Sequence, residues 1–126
     1  MYPTGFLQWG FNFYNTRNST KPIDPYTDTA SGGDFPSGDA FVVYPDGDNV
    51  IASLRLEVFY EGIQLYLALK KLENVIGREK IVGMLKERGY EGYNTYPHSP
   101  QALISLKKEI YSKLKKANVV TRVGEI

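Results

Sequence analysis

The chain has 126 residues, a formal charge of +1 and 23% charged residues, which suits one domain with a single core. It has no cysteine, so disulfides, thiolate metal sites and cysteine nucleophiles are excluded. A near-neutral balance gives nucleic acid or an anionic membrane nothing to seize wholesale, and there is neither a signal-peptide pattern nor an uncharged apolar run of about eighteen residues.

The charge is unevenly placed. Residues 1–50 hold two basic and six acidic side chains (net −4), which leaves thirteen basic and eight acidic for residues 51–126 (net +5). The first half is acidic and aromatic, and the second is basic with helical periodicity.

Gly5 to Asn15 contains the only tryptophan and concentrates aromatic residues. Read as an extended strand, it alternates between an apolar set, Leu7, Trp9, Phe11 and Phe13, and a small or polar set, Gln8, Gly10, Asn12 and Tyr14. That alternation suits the wall of a barrel enzyme and equally an ordinary half-solvated antiparallel strand. Thr16 to Gly38 has loop chemistry, rich in Asn, Ser, Thr, Asp and Gly, with Pro22, Pro25 and Pro36. A loop of that length in a compact domain is commonly functional or disordered.

Ala40–Tyr44 reads as a second short strand ended by Pro45, and Asp46-Gly47-Asp48-Asn49 as a tight turn. The turn lacks the later bidentate glutamate of a calcium loop, so no metal is assigned to it. Ser53 caps a helix predicted over Leu54–Ile76, apolar on more than one stripe and therefore expecting neighbours on several sides. Gly77 interrupts it, and Arg78–Arg88 forms a shorter helix closed by Gly89. Residues 89–98 form a loop with three tyrosines and the sole histidine, His98. Ser99-Pro100 starts a last helix to about Ala117, with Leu103, Leu106, Ile110 and Leu114 as its buried stripe and lysines on its later turns. Residues 118–126 read as a strand or a tail.

No phosphate loop, paired-histidine zinc motif or nucleophile elbow is present. What remains is an aromatic strand, Tyr14, Tyr26 and Tyr44, and a loop bearing Asp24, Asp28, Asp34 and Asp39. Sugar rings lay C–H faces on flat aromatic surfaces and their hydroxyls on fixed acceptors, so this mixture fits a carbohydrate site, although aromatics at strand spacing are more often core.

Four blocks in order, Gly5 to Tyr14, Asp24-Pro25-Tyr26, Pro36 to Pro45, and Ser53 to Glu57 leading into Glu61-Gly62-Ile63-Gln64, resemble the C-terminal region of bacterial glycoside hydrolases related to the β-N-acetylgalactosaminidases. That region is catalogued there as a domain of unknown function. One position departs from the family pattern: Leu65 stands where an acidic residue is usual.

The resemblance implies an α+β unit, with strands near 5–14 and 40–44 and about three helices, corresponding to the C-terminal part of a (β/α)8 barrel. It implies one domain over 1–126, divided into a strand and loop portion (1–52), a helical portion (53–117) and a tail (118–126). It places Trp9, Asn12, Tyr14, Asp39 and Tyr44 at a sugar pocket, Trp9 only if a bulge turns its indole inward, and Phe11 and Phe13 outward on helices. The family's acid chemistry uses an adjacent Asp-Glu pair, and this chain has no Asp-Glu dipeptide. The expected protein is thus a pocket wall without catalytic residues or cofactor. Its implied partners are an N-acetylhexosamine-type glycan, the upstream barrel segment and, when isolated, further copies of itself. Two other readings stand beside it: a carbohydrate-binding module with a Trp9, Tyr14 and Tyr44 platform, and a helical protein-interaction domain using the basic half.

Overall fold

Capping and turn residues decide most of the elements in the computed structural model, which describes residues 5–117. They are a hairpin, β1 (Val43–Asp46) and β2 (Asn49–Ala52), and three helices, α1 (Leu54–Ile76), α2 (Arg78–Glu87) and α3 (Pro100–Lys116). The class is α+β, as the sequence predicts. The predicted tail, 118–126, lies outside the described residues.

Two compact units share the chain, Gly5–Glu61 and the residues from Gly62 onward, with α1 contributing to both. The second unit is built on buried Leu69 and Leu72 of α1, Ile81 and Met84 of α2, and Leu106, Ile110 and Leu114 of α3. Its ends follow from local chemistry. Gly89, at φ +81°, closes α2: its N–H reaches the Lys86 carbonyl at 2.9 Å, and the Tyr90 N–H reaches that of Leu85 at 2.9 Å. Ser99 Oγ accepts from the Ala102 N–H at 3.4 Å, with Pro100 opening α3 where no amide hydrogen is needed. Arg88 ties the end of α2 to α3, its Nε 2.7 Å from Glu109 Oε2 and its Nη1 3.1 Å from Ser105 Oγ. Leu103, expected in the buried stripe, is 44% exposed; it borders an open pocket instead.

In the first unit the strand expected at 40–44 is found shifted to Val43–Asp46, and its partner is β2 rather than the stretch near 5–14. β1 and β2 pair antiparallel, Val43 with Ala52 through Asp46 with Asn49. Gly47, at φ +58°, takes the first central position of the two-residue turn, where a type II′ hairpin requires it. Pro45 does not end the strand; a two-stranded ribbon has free edges, and an edge strand accommodates a missing N–H.

The stretch near 5–14 is not a regular strand. An isolated antiparallel bridge, Asn12 with Phe41, joins its backbone to the residues before β1, made by Phe13 N–H to the Ala40 carbonyl at 3.1 Å and Val42 N–H to the Phe11 carbonyl at 2.9 Å. Immediately before it, Gly10 presses onto the backbone of Asp39 and Ala40 so closely that a Cβ would lie 2.6 Å from three of their atoms. Backbone contact of that kind replaces the regular ladder spacing.

Candidate functional site

Phe41 is the hub of the first unit. It is fully buried, and its ring meets Tyr14 at 5.6 Å and Tyr44 at 5.3 Å, both edge-on. Arg55, from the first turn of α1, donates from Nε and Nη2 to the Phe41 carbonyl at 3.2 and 3.0 Å. Its guanidinium carbon stands 5.4 Å from the centre of the same ring. Gly38, at φ +80°, lets the chain pass under that guanidinium; a Cβ there would lie 2.5 Å from Nη1.

Asp39 lies between these two anchored residues and faces the aromatic stretch. Its Oδ2 accepts from Trp9 Nε1 at 3.1 Å, and its carbonyl accepts from Gln8 Nε2 at 3.0 Å. The Trp9 ring is flanked by Phe35 at 5.0 Å and Phe13 at 5.7 Å, yet the residue is 51% exposed. The indole is thus held at its nitrogen and along its sides with half its surface open to solvent. That arrangement can receive the C–H face of a sugar beside a carboxylate.

The five residues the sequence nominates fall into two pairs and one connector. Trp9 and Asp39 are hydrogen-bonded. Tyr14 and Tyr44 share the Phe41 ring. Asn12, exposed, supplies the backbone bridge to Phe41. Tyr14 and Tyr26 are fixed through their hydroxyls, which donate to the Val43 and Pro45 carbonyls at 2.8 Å each, and Tyr26 lies 5.1 Å from Tyr44.

Phe13 does not face outward on a helix; it buttresses Trp9. Sequence reasoning missed Phe35, Phe41 and Arg55 as members of the site. Arg55 carried a signal, since a cation in a first helical turn opposes the helix dipole and calls for another reason to be there.

The loop carboxylates are occupied by the loop itself. Asp24 accepts from the Tyr26 N–H at 3.0 Å, Asp28 from the Ala30 and Gly32 N–H groups at 2.9 and 2.8 Å, and Asp34 from the backbone N–H of Arg17 at 3.3 Å. These bonds, with the bridge between Asn15 and Pro22, fix a long segment that has no regular structure.

Burial, and secondarily the charge of Tyr26, raises the pKa of Tyr14 above the ordinary 10.0. The folded protein therefore holds this proton more tightly than the unfolded chain. The stability it contributes is complete below the unfolded value and is lost as pH rises through the folded one. Tyr14→Phe is expected to cost about 1 kcal/mol at neutral pH, for the lost bond to Val43. It should also flatten the decline above about pH 10, as urea titrations at pH 7 and at pH 10 to 11 would read.

The profile of the glycoside hydrolase 123 catalytic domain matches residues 2–72, more than half of the chain and all of the described part of this site. The chain belongs to glycoside hydrolase family 123. No curated protein matches it. Membership of family 123 agrees with the resemblance at the level of a glycan-acting enzyme, and the match is to its catalytic domain. It ends within α1, so α2 and α3 lie beyond the matched residues.

Proposed function

We propose that residues 5–72 form part of the sugar-pocket wall of a family 123 glycoside hydrolase, held by neighbours this chain does not supply and inactive without them. The observation that carries the reading is an inversion in the aromatic stretch. Three of its four small or polar residues are turned to the protein, with Gly10 buried, Gln8 bonded to Asp39 and Tyr14 to Val43, while Asn12 is exposed. Three of its four apolar residues are turned outward: Leu7 is 89% exposed, and Trp9 and Phe11 are half exposed, while Phe13 is half-buried against Trp9. The first turns of α1 continue this, with Leu54 at 84% and Val58 at 67%.

A domain complete in itself would cover such a surface, and a barrel wall has it covered by the next strands and helices. A barrel takes roughly 250 residues, about twice what is present. The Asp-Glu pair implied for catalysis is also not in this chain, so general-acid chemistry would come from elsewhere in the barrel. Within the completed barrel, Trp9, Asn12 and Asp39 would face an N-acetylhexosamine-type glycan, with Tyr14 and Tyr44 supporting that wall through the Phe41 ring.

Titration with N-acetylgalactosamine, followed by the fluorescence of the single tryptophan, separates this reading from a stand-alone binding module. An isolated wall is expected to give no saturable response and to release no nitrophenol from p-nitrophenyl N-acetyl-β-galactosaminide. A saturable response without turnover would replace it with the binding-module reading, and turnover by the chain alone would overturn it.

A further inference from the structure

A second concave site lies in the unit from Gly62 onward, with a volume of about 360 Å³. That is toward the lower end for small-molecule sites, roughly 300–1,000 Å³. Most of its lining comes from residues beyond the family match, and no Asp, Glu, Lys, Arg or His is among them. The walls are leucines, Leu65 and Leu103 among them, and tyrosines. Tyr93 and Tyr96 stand at the exposed rim, Tyr93 within and Tyr96 directly after a tight turn in which the Thr95 N–H meets the Gly92 carbonyl at 3.4 Å.

Gly62 adds an independent observation. It sits inside the 23-residue helix α1, where glycine is a poor choice. Packing does not demand it, since a Cβ at Gly62 would meet nothing within 4 Å. Its empty side forms part of the pocket, and so does that of Gly92, which is equally unobstructed. The missing side chains are pocket space, kept open at a cost in helix propensity.

We infer that this pocket is a binding site for a neutral, largely apolar small molecule of about one ring with a short alkyl substituent and a single hydroxyl or carbonyl oxygen. A charged ligand would be desolvated with no countercharge in the lining, and a sugar would bring more hydroxyls than the walls can satisfy. The Tyr90, Tyr93 and Tyr96 hydroxyls have no partner among the described residues, which leaves them for one ligand oxygen. The rings and leucines take the remainder. None of its lining residues belongs to the site around Trp9 and Asp39, and the inference does not depend on the sugar-pocket reading.

The test is a titration of the whole chain with p-cresol and with 1-hexanol, followed by NMR of labelled leucine methyl groups, with benzoate and N-acetylgalactosamine as contrasts. Saturable shifts are expected at Leu65 and Leu103 with the two neutral probes only. Gly62→Leu should weaken binding at least tenfold while raising the melting temperature, because it fills the cavity and improves the helix. Gly83→Ala, at an α2 glycine that does not line the pocket and whose Cβ also meets nothing, should raise the melting temperature and leave binding unchanged. The inference is overturned by equal binding of benzoate, by shifts spread over exposed apolar residues, by an unaffected Gly62→Leu variant, or by no saturable shift with either neutral probe.

Discussion

Phe41→Ala is expected to destabilise the unit that holds Trp9 by about 3–5 kcal/mol, a large part of the roughly 5–15 kcal/mol that folds a typical domain. Phe41 is fully buried, and its ring supports Tyr14, Tyr44 and the Arg55 guanidinium at once, so truncation leaves a cavity that none of the three can fill without releasing its own contact. Its neighbours in sequence carry the strain further. Gly38 and the Phe41 carbonyl are the two points at which Arg55 holds the chain around Asp39, and Asp39 is the hydrogen-bond partner of the indole. The measurement is a urea titration with two probes, Trp9 fluorescence and far-ultraviolet circular dichroism. With a slope of about 1–3 kcal/mol per molar urea, the fluorescence midpoint should fall by at least 1 M. The helical signal should keep its midpoint, because Leu72, Ile81 and Ile110 form a core of their own. Leu72→Ala should do the reverse, lowering the helical midpoint by a comparable amount. Coincident shifts of both probes in either variant would show that the two clusters unfold as one, against this account.

The helices were legible because the signals that define them are local. Ser99-Pro100 starts α3 and Gly89 stops α2 through bonds spanning only a few residues, and no distant contact is needed to predict them. The aromatic stretch was not legible in the same way. Alternation separates Leu7, Trp9 and Phe11 from Gln8, Gly10 and Tyr14, but it cannot say which set meets the protein, since that depends on a partner some thirty residues away. The partner is backbone: Asp39 and Ala40 against a glycine that no periodicity marks as a contact. For the same reason Trp9 and Asp39 could each be nominated from their chemistry while their bond to one another could not. The hairpin was half legible. Its turn residues carry their own local signal, whereas β2, four exposed residues long, has too few side chains to show a pattern.

Replacing Leu54 and Val58 together by glutamate is expected to raise the dissociation constant for self-association at least a hundredfold. The wild-type chain is expected to scatter light as a dimer or larger species at micromolar concentration. Both side chains project from the first turns of α1, one turn apart and mostly exposed, in the unit that also leaves Phe6 and Leu7 uncovered. Burying a leucine or valine stabilises by about 1.5–3 kcal/mol, and a two-fold interface counts each side chain twice. Even partial burial of four such groups therefore exceeds the roughly 2.8 kcal/mol that a hundredfold change requires. Glutamate is chosen because it forms helices well and complements the dipole at this end of α1, so the fold should survive and thermal stability at high dilution should be unchanged or higher. Substituting the exposed Lys108 and Lys115 of α3 by glutamate, for comparison, should not disperse the assembly. Multi-angle light scattering between 1 and 100 μM, concentrations set by the assay, distinguishes the cases. A wild-type mass equal to one chain throughout would mean that this surface tolerates water, and the case for missing barrel neighbours would lose its main support.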